Sequence, residues 1–586
     1  NLLQSLYVVE TEKSLSLKNK AQRDFEVVLP YGTRTMTIEY TKNYEEQTVF
    51  VQPGGVYNPT IITVKANRGN EPDEIYTITP KLDTQNPAIL TGINVDGVDL
   101  PDFDPNRFTY VVNRTVTTTP KVKVTKASGV EYDVETDLYK WRAEVSKDGY
   151  TNTYVLHFHY VNDIIPNGEF TEWTKTSSSN SDKPAQWNAP GDYIDTYLFT
   201  AKAGTTVSKE NASVVHLETA YWAALAGAIP AVLNLGTMTA KFAVAGGTTV
   251  TPSGFIGYHN TPDIATINYK YPNKEGDGAL FRFKFFDTDG EEHVFDHKQT
   301  SSKSSYTTYT TALSTDGIPV TGLDIIVDAT GKYPKAGSGA NLYVDYIRFS
   351  YNSTPKAAKA NGIDAVLSGK VFTVTLTDSE DVNMPSYEFN GEVSDQAQLL
   401  TWAEPVVEGD YSVRTAAIRN FAEDGSYTDG YSLRVLRPLD KRNKLSAIML
   451  NEDTIAGFAE NKTEYEYHLA SSCKHLPSIT PVPASSLQTI TTTYADSTMT
   501  ITVTPEAGDP VTYTVKFVTE LSDDTTLADI IAEGISYDRE IKDYEVSAEQ
   551  MPLISYTKKS DLQTVSLVNG VITVTAENGN TGTYTI

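Results

Sequence analysis

Short strands that alternate apolar and polar residues, closing one segment after another, constrain this chain more than any other feature. Ile75-Tyr-Thr-Ile-Thr, Tyr154-Val-Leu-His-Phe, Val511-Thr-Tyr-Thr-Val-Lys-Phe and Tyr584-Thr-Ile all follow this pattern. A period of two buries one face of a sheet and leaves the other wet, whereas a helix needs apolar residues three and four apart. Each closing strand ends a unit of common order: a Leu or Ile pair, a short Asn/Asp/Gly turn, then an aromatic strand. The clearest copy runs from Leu445 to Val518, through Asn451-Glu-Asp, Tyr465-Glu-Tyr-His-Leu and Met499-Thr-Ile-Thr-Val-Thr. The segment from Leu527 to the end repeats the scheme, as does Ile89 to Tyr160. Asn1 to Thr79 is a weaker copy and Ala358 to Leu436 a divergent one. Units of about 60 to 85 residues with turn signals every 8–12 have immunoglobulin-like sandwich spacing.

A chain of 586 residues is too long for one core, and ordinary domain sizes predict roughly four to six domains. Pro and polar residues place joints near Thr84–Pro87, Asp163–Pro166, Ser353–Lys359, Pro438–Arg442 and Ser522–Thr526. The expected domains are 1–84, 85–163 and 354–439 as immunoglobulin-like sandwiches, 440–521 and 522–586 as cadherin-like sandwiches, and a larger unit at 164–353. The fold class is therefore all-β, a string of small sandwiches with one jelly roll. The formal net charge is −27, with 75 acidic against 48 basic residues. That balance excludes phosphate-backbone binding and adsorption to an anionic membrane surface, so no nucleic-acid partner is expected. The sole cysteine, Cys473, excludes an internal disulfide and a Cys-based zinc cage. No apolar run approaches the ~20 residues of a membrane span. The first residues, Asn-Leu-Leu-Gln, carry no basic or apolar leader pattern.

The larger unit opens on Asn167-Gly-Glu-Phe-Thr-Glu-Trp and closes on Leu342-Tyr-Val-Asp-Tyr-Ile-Arg-Phe. It is about twice the length of the others, as a jelly roll is. It holds Trp173, Trp187 and Trp222, three of the five tryptophans. Sugars present C–H faces that stack on rings and hydroxyls that need planar polar partners. Between the two bookends come Lys183-Pro-Ala-Gln before Trp187, Leu217-Glu-Thr before Tyr221-Trp222, Gly254-Phe-Ile-Gly, Pro262-Asp263, and Tyr269-Lys-Tyr271. This ordered set resembles the carbohydrate metabolism domain of gut Bacteroidetes surface proteins, over Asn167 to Tyr351. The small units resemble cadherin-like modules of bacterial surface proteins. The first resemblance implies polysaccharide handling, in a family whose members are often labelled glycoside hydrolases without an established catalytic pair.

Trp222, Tyr258, Tyr271 and Trp187 are the expected glycan-stacking rings; the competing reading places them in the core, where large aromatics dominate. Glu169 and Asp345, on outer strands that lie side by side in many such jelly rolls, are the expected ligands of a structural Ca²⁺. Backbone carbonyls would have to supply most of its remaining oxygens. The closing motif departs from the family in carrying Tyr346 where an acid is frequent. Asp287-Thr-Asp289-Gly-Glu291-Glu reads as a hairpin turn rather than a calcium loop. His157 and His159 on one strand face, or His293 with Asp296-His297, could begin a metal cluster, but no third ligand is assignable. Glu218, Asp263, Asp287 and Glu291 are the carboxylates nearest the aromatic motifs, and sequence selects no catalytic pair among them. The expectation is a cell-surface glycan-binding protein of a bacterial polysaccharide utilisation system. It would be lipid-anchored at the outer membrane after removal of a signal, or periplasmic, with poly- or oligosaccharide and other utilisation proteins as partners. A glycoside hydrolase and an adhesin or stalk are the alternatives.

Overall fold

The computed structural model describes the chain apart from residues 1, 18–21, 66–71, 194–204, 223–226, 244–246, 275, 316–317, 332–338, 382–385, 392–394, 472 and 474. It is all-β: among the described residues only two 3-10 turns, Val9–Thr11 and Pro190–Asp192, interrupt the strands. No helix is long and apolar enough to cross a membrane. The chain divides into two compact units. One comprises Asn1–Gln85, Thr377–Met384 and Pro438–Ile586, and the other Asn86–Leu376 and Pro385–Arg437.

The internal repeat has a physical signature. In four small modules the aromatic strand runs parallel to the closing strand: Asp24–Leu29 with Glu74–Leu82, Thr109–Arg114 with Tyr150–Tyr160, Val371–Thr375 with Tyr427–Pro438, and Glu464–Ala470 with Val511–Glu520. The last module keeps a parallel bridge, Asp543 to Thr585. A buried tyrosine of the closing strand then accepts the first backbone N–H of the opening strand. Leu3 donates to Tyr76 (3.1 Å), Leu90 to Tyr154 (3.2 Å), Leu445 to Tyr513 (3.2 Å) and Leu527 to Tyr584 (3.3 Å). A second tyrosine, on the aromatic strand, clips the loop six residues before it. Tyr110 holds Asp104, Tyr465 holds Ala459 and Tyr544 holds Asp538, each through both backbone groups. Buried backbone groups must find partners, and here the tyrosines supply them.

The modules do more than follow one another. In the first unit the strand Val49–Gln52 lies parallel to Ile479–Pro483 at Phe50 and Ile479, so the first and fifth modules share a seven-stranded sheet. In the second unit three modules interlock. Asn260 of the jelly roll accepts the Tyr160 N–H and donates to the carbonyls of Tyr160 and Asp163 at 2.9–3.0 Å. Thr261 donates its N–H (3.0 Å) and hydroxyl (2.7 Å) to Glu423 of the following module. Thr109 and Gln398 bond across a further seam, the Gln398 N–H donating at 2.7 Å.

The jelly roll packs a five-stranded front sheet on a back sheet. The front strands are β1 (Val207–Asn211), β2 (Val214–Glu218), β3 (Ile264–Asn273), β4 (Lys303–Ala312) and β5 (Asn341–Ser350), in spatial order β1-β2-β5-β3-β4 and all antiparallel. Ala279–Asp287, Glu292–Gln299 and Val320–Asp328 form most of the back sheet. Between them lies one core that includes Phe170, Trp187, Tyr258, Tyr269, Tyr271, Phe281, Phe283 and Phe285.

Two outcomes follow. Tyr513→Phe strands the Leu445 N–H and the Glu460 carbonyl, which the hydroxyl serves at 3.2 and 2.8 Å, and should cost about 1–3 kcal/mol in denaturant unfolding. At the joint, burial and the neighbouring carboxyls of Glu423 and Asp263 push Asp395 up to about 7. The unfolded chain releases that proton near pH 4, so the folded state binds the extra proton and stability falls as pH rises from about 4 to about 7. The melting temperature should drop over that window, and Asp395→Asn should flatten the drop.

Candidate functional site

Strand parity decides which rings of the jelly roll can meet a ligand. Along β3, Ala265, Ile267, Tyr269 and Tyr271 point inward, and Thr266, Asn268 and Lys270 outward. Tyr271 donates its hydroxyl to the Ala329 carbonyl (2.7 Å), and Tyr269 donates to Gln299 (2.7 Å). Trp187, fully buried, donates its indole N–H to the Pro166 carbonyl (2.8 Å), and the Tyr258 hydroxyl faces that of Tyr351 (3.5 Å). Trp187, Tyr258 and Tyr271 are therefore core residues rather than stacking platforms, each large ring satisfied at its polar end. Trp222 ends the strand Ala220–Trp222, whose backbone pairs with Gly227–Ile229; its side chain lies outside the described residues.

The two bookends do meet: the Ile347 N–H donates to the Gly168 carbonyl at 2.9 Å. Glu169, however, faces Arg348, which holds it by two hydrogen bonds. That guanidinium keeps the Glu169 carboxyl below its usual range. The donor set does not fit a Ca²⁺ ion. Glu169 is already neutralised, and among the described residues no three Asp, Glu, His or Cys side chains converge to hold a metal. Among the described residues, His157/His159 and His293/His297 likewise gather into no three-ligand group, and Asp296 is held by Arg282 instead. Of the other acidic candidates, Asp287 and Glu291 share one hairpin, and Glu218 and Asp263 sit on elements apart from it. Glu218 ends β2, and Asp263 accepts the Asn352 N–H (2.6 Å). Asp287 closes its own hairpin by accepting the N–H groups of Asp289 and Glu291 and facing His293 at 2.9 Å.

What the outward face of the front sheet presents is a row with one residue from every strand. Ser208 of β1 sits opposite His216 of β2, and His216 opposite Tyr343 of β5. Tyr343 in turn pairs with Lys270 of β3, beyond which stands Tyr306 of β4. His216 stacks flat on Tyr343, with centroids 4.2 Å apart and planes 6° apart, and its Nε2 lies 2.8 Å from the Asn341 amide oxygen. The Lys270 ammonium lies 4.0 Å from the Tyr343 ring and 5.3 Å from that of Tyr306. Tyr306 is 41% exposed. Burial, with Asp345 and Glu210 nearby, raises its phenol above the usual range, so it stays a neutral hydroxyl.

Beside this row runs a second, Tyr346, Asn268 and Thr308, in register across β5, β3 and β4. Asn268 donates to the Thr308 hydroxyl (2.9 Å), and Arg348 lies 4.0 Å from the Tyr346 ring. Asp345 is the extra residue of a bulge in β5, where the pairing steps from Val344–Tyr269 to Tyr346–Asn268. A bulge re-aims side chains, and this one brings Tyr343 and Tyr346 both to the outer face. At about 4.8 Å per strand, the five-residue row spans roughly 19 Å. Together the two rows offer rings, hydroxyls, the Asn268 amide and a cation, the groups that bind sugar C–H faces and hydroxyls.

No family model matches the chain, and no curated protein matches it. Several solved structures are similar over parts of it. The M60 catalytic domain with the CBM51-1 and CBM51-2 domains of Clostridium perfringens ZmpB is 11% identical at TM-score 0.14, covering 70% of this chain and 44% of that one. A structure of carbohydrate-binding modules from the beta-sandwich superfamily is 13% identical at TM-score 0.14, covering 52% and 99%. SGBP-B from a complex xyloglucan utilization locus of Bacteroides uniformis is 9% identical at TM-score 0.15, covering 59% and 91%. The chain thus spans less than half the length of the clostridial structure.

Because Arg348 already occupies the Glu169 carboxylate, adding Ca²⁺ or a chelator should leave the melting temperature of the protein unchanged. A calcium-dependent rise that disappears in Asp345→Asn would restore the metal reading.

Proposed function

We propose that the protein binds carbohydrate through the outward face of the jelly-roll front sheet, with an extended glycan lying across the strands. The observation that carries this is the continuous row Ser208, His216, Tyr343, Lys270 and Tyr306, one residue per strand. His216, Tyr343, Lys270 and Tyr306 are held by stacking and cation–π contacts rather than left to reorganise on binding. A pre-ordered row of this kind suits a repeating polymer better than a single compact ligand. Its contacts are shallow, so affinity rests on avidity along the chain rather than on burial.

On this reading the protein works at the cell surface of a polysaccharide-utilising bacterium, lipid-anchored or periplasmic, beside the outer-membrane proteins of the same system. The small sandwiches act as spacers, and their interlocking within each unit supports that role, because a docked module transmits orientation as a loose one does not. The strongly acidic composition supports a protein that stays apart from anionic neighbours.

The test is a polysaccharide panel run by affinity electrophoresis on the full chain. Tyr306→Ala and Tyr343→Ala should each weaken retention roughly tenfold. Tyr271→Phe, which alters only a buried hydroxyl, should leave retention unchanged while lowering stability. Retention untouched by both Ala variants would defeat the assignment. Release of reducing ends during the same incubations would move the protein to the hydrolase class.

A further inference from the structure

In the second unit, the second module, the jelly roll and the following module line a cavity of about 400 Å³, and none of the five residues of the aromatic row belongs to its wall. That volume falls within the range of small-molecule sites. The second module supplies Asp137, Tyr139, Lys140 and His157; the jelly roll supplies Thr261 and Asp263; Asp395 and Glu423 come from the third partner.

The alternation that builds the second module accounts for His157. In Tyr150–Tyr160 the residues Tyr154, Leu156, Phe158 and Tyr160 fill that module's own core, so His157 and His159 face out of it. Both are nevertheless buried, covered by the neighbouring modules. His157 is 4% exposed and lines the cavity, and while its backbone pairs within the sheet, its imidazole makes no hydrogen bond to a described residue. A buried imidazole without a partner is costly unless something in the cavity serves it. Burial pushes its pKa down to about 3, so it is neutral and offers one donor and one acceptor nitrogen. Opposite it, the Thr261 hydroxyl lies 2.7 Å from Glu423 and 3.4 Å from Asp395, and His159 approaches Glu423 at 3.6 Å.

We infer that this cavity is a second ligand site, built for one neutral sugar residue. The lining selects the chemistry. Carboxyl groups of Asp137, Asp263 and Glu423 are acceptors that suit a ligand rich in O–H donors, and they repel an anion. Lys140 and the second nitrogen of His157 serve the ligand's ring and hydroxyl oxygens. The Tyr139 ring offers apolar surface to its C–H groups. A divalent cation is disfavoured, because no three side chains converge to hold one among the described residues. The inference goes beyond the sheet-face reading and fails separately from it.

Saturation-transfer NMR on the full chain tests it, with D-glucose, D-xylose and N-acetylglucosamine as neutral probes and D-glucuronate as the anionic one. At least one neutral sugar should bind and glucuronate should not. His157→Phe and Lys140→Ala should each weaken that binding roughly tenfold, as loss of a polar contact does. The Tyr306→Ala/Tyr343→Ala double variant should leave it unchanged. Thermal melts accompany each variant; should His157→Phe fail to fold, Lys140→Ala at the cavity wall carries the comparison. The inference is overturned if no neutral sugar binds, if glucuronate binds equally well, or if binding follows the tyrosine variants and ignores the cavity ones. In that last case the sheet-face reading gains what the cavity loses.

Discussion

The hydroxyl of a buried tyrosine, bonded to backbone across the sandwich, fixes the register on which the rest of this structure depends. In the small modules Tyr76, Tyr154, Tyr513 and Tyr584 tie closing strand to opening strand. In the jelly roll Tyr269 and Tyr271 tie the front sheet to the back through Gln299 and the Ala329 carbonyl. A strand slipped by one residue turns every side chain to the opposite face. A phenol that finds its acceptor in only one register forbids that slip. The abundance of tyrosine thus has two causes: half of each strand needs rings that fill a core, and those rings must end in a group that satisfies buried backbone.

Much of this was legible in the sequence. Alternation at Val511–Phe517 and Tyr154–Phe158 announced strands with one wet face, and the recurring order of turn, aromatic strand and closing strand announced a repeat. The parallel pairing of the aromatic and closing strands was not legible, because alternation fixes which face a residue takes and says nothing of strand direction. Nor was the sheet shared by the first and fifth modules. That sheet turns on one contact between Phe50 and Ile479, far apart in the chain. The picture of separate beads overlooked Asn260 and Glu423, polar residues whose partners lie in other modules.

The site shows the same division. The meeting of the Asn167 and Leu342 bookends was foreseen, and the partner of Glu169 was not. Arg348 lies three residues past Asp345, and a guanidinium fork fits a carboxylate better than a second carboxylate does. Ring size alone selects core, as Trp187, Tyr258 and Tyr271 show. Parity would have chosen otherwise. Tyr271 shares the parity of Ala265 and Ile267, so it faces in, while Lys270 between the tyrosines faces out. In the closing strand Leu342 and Val344 face in, which sends Tyr343 out. Tyr346 was noted only as a departure from an acidic position, yet the bulge at Asp345 sets it on the same face. That bulge is a tertiary feature with no local sequence mark.

The account comes down to which tyrosines of the jelly roll meet solvent and sugar. Hydroxyl-radical footprinting of the full protein, with and without the polysaccharide it retains, measures that residue by residue. The account predicts that Tyr306, Tyr343 and Tyr346 are oxidised in the free protein and shielded by glycan, while Trp187, Tyr269 and Tyr271 stay silent in both states. Oxidation of Tyr271 or Trp187 in the free protein, with shielding by glycan there and none at Tyr306 or Tyr343, would contradict it.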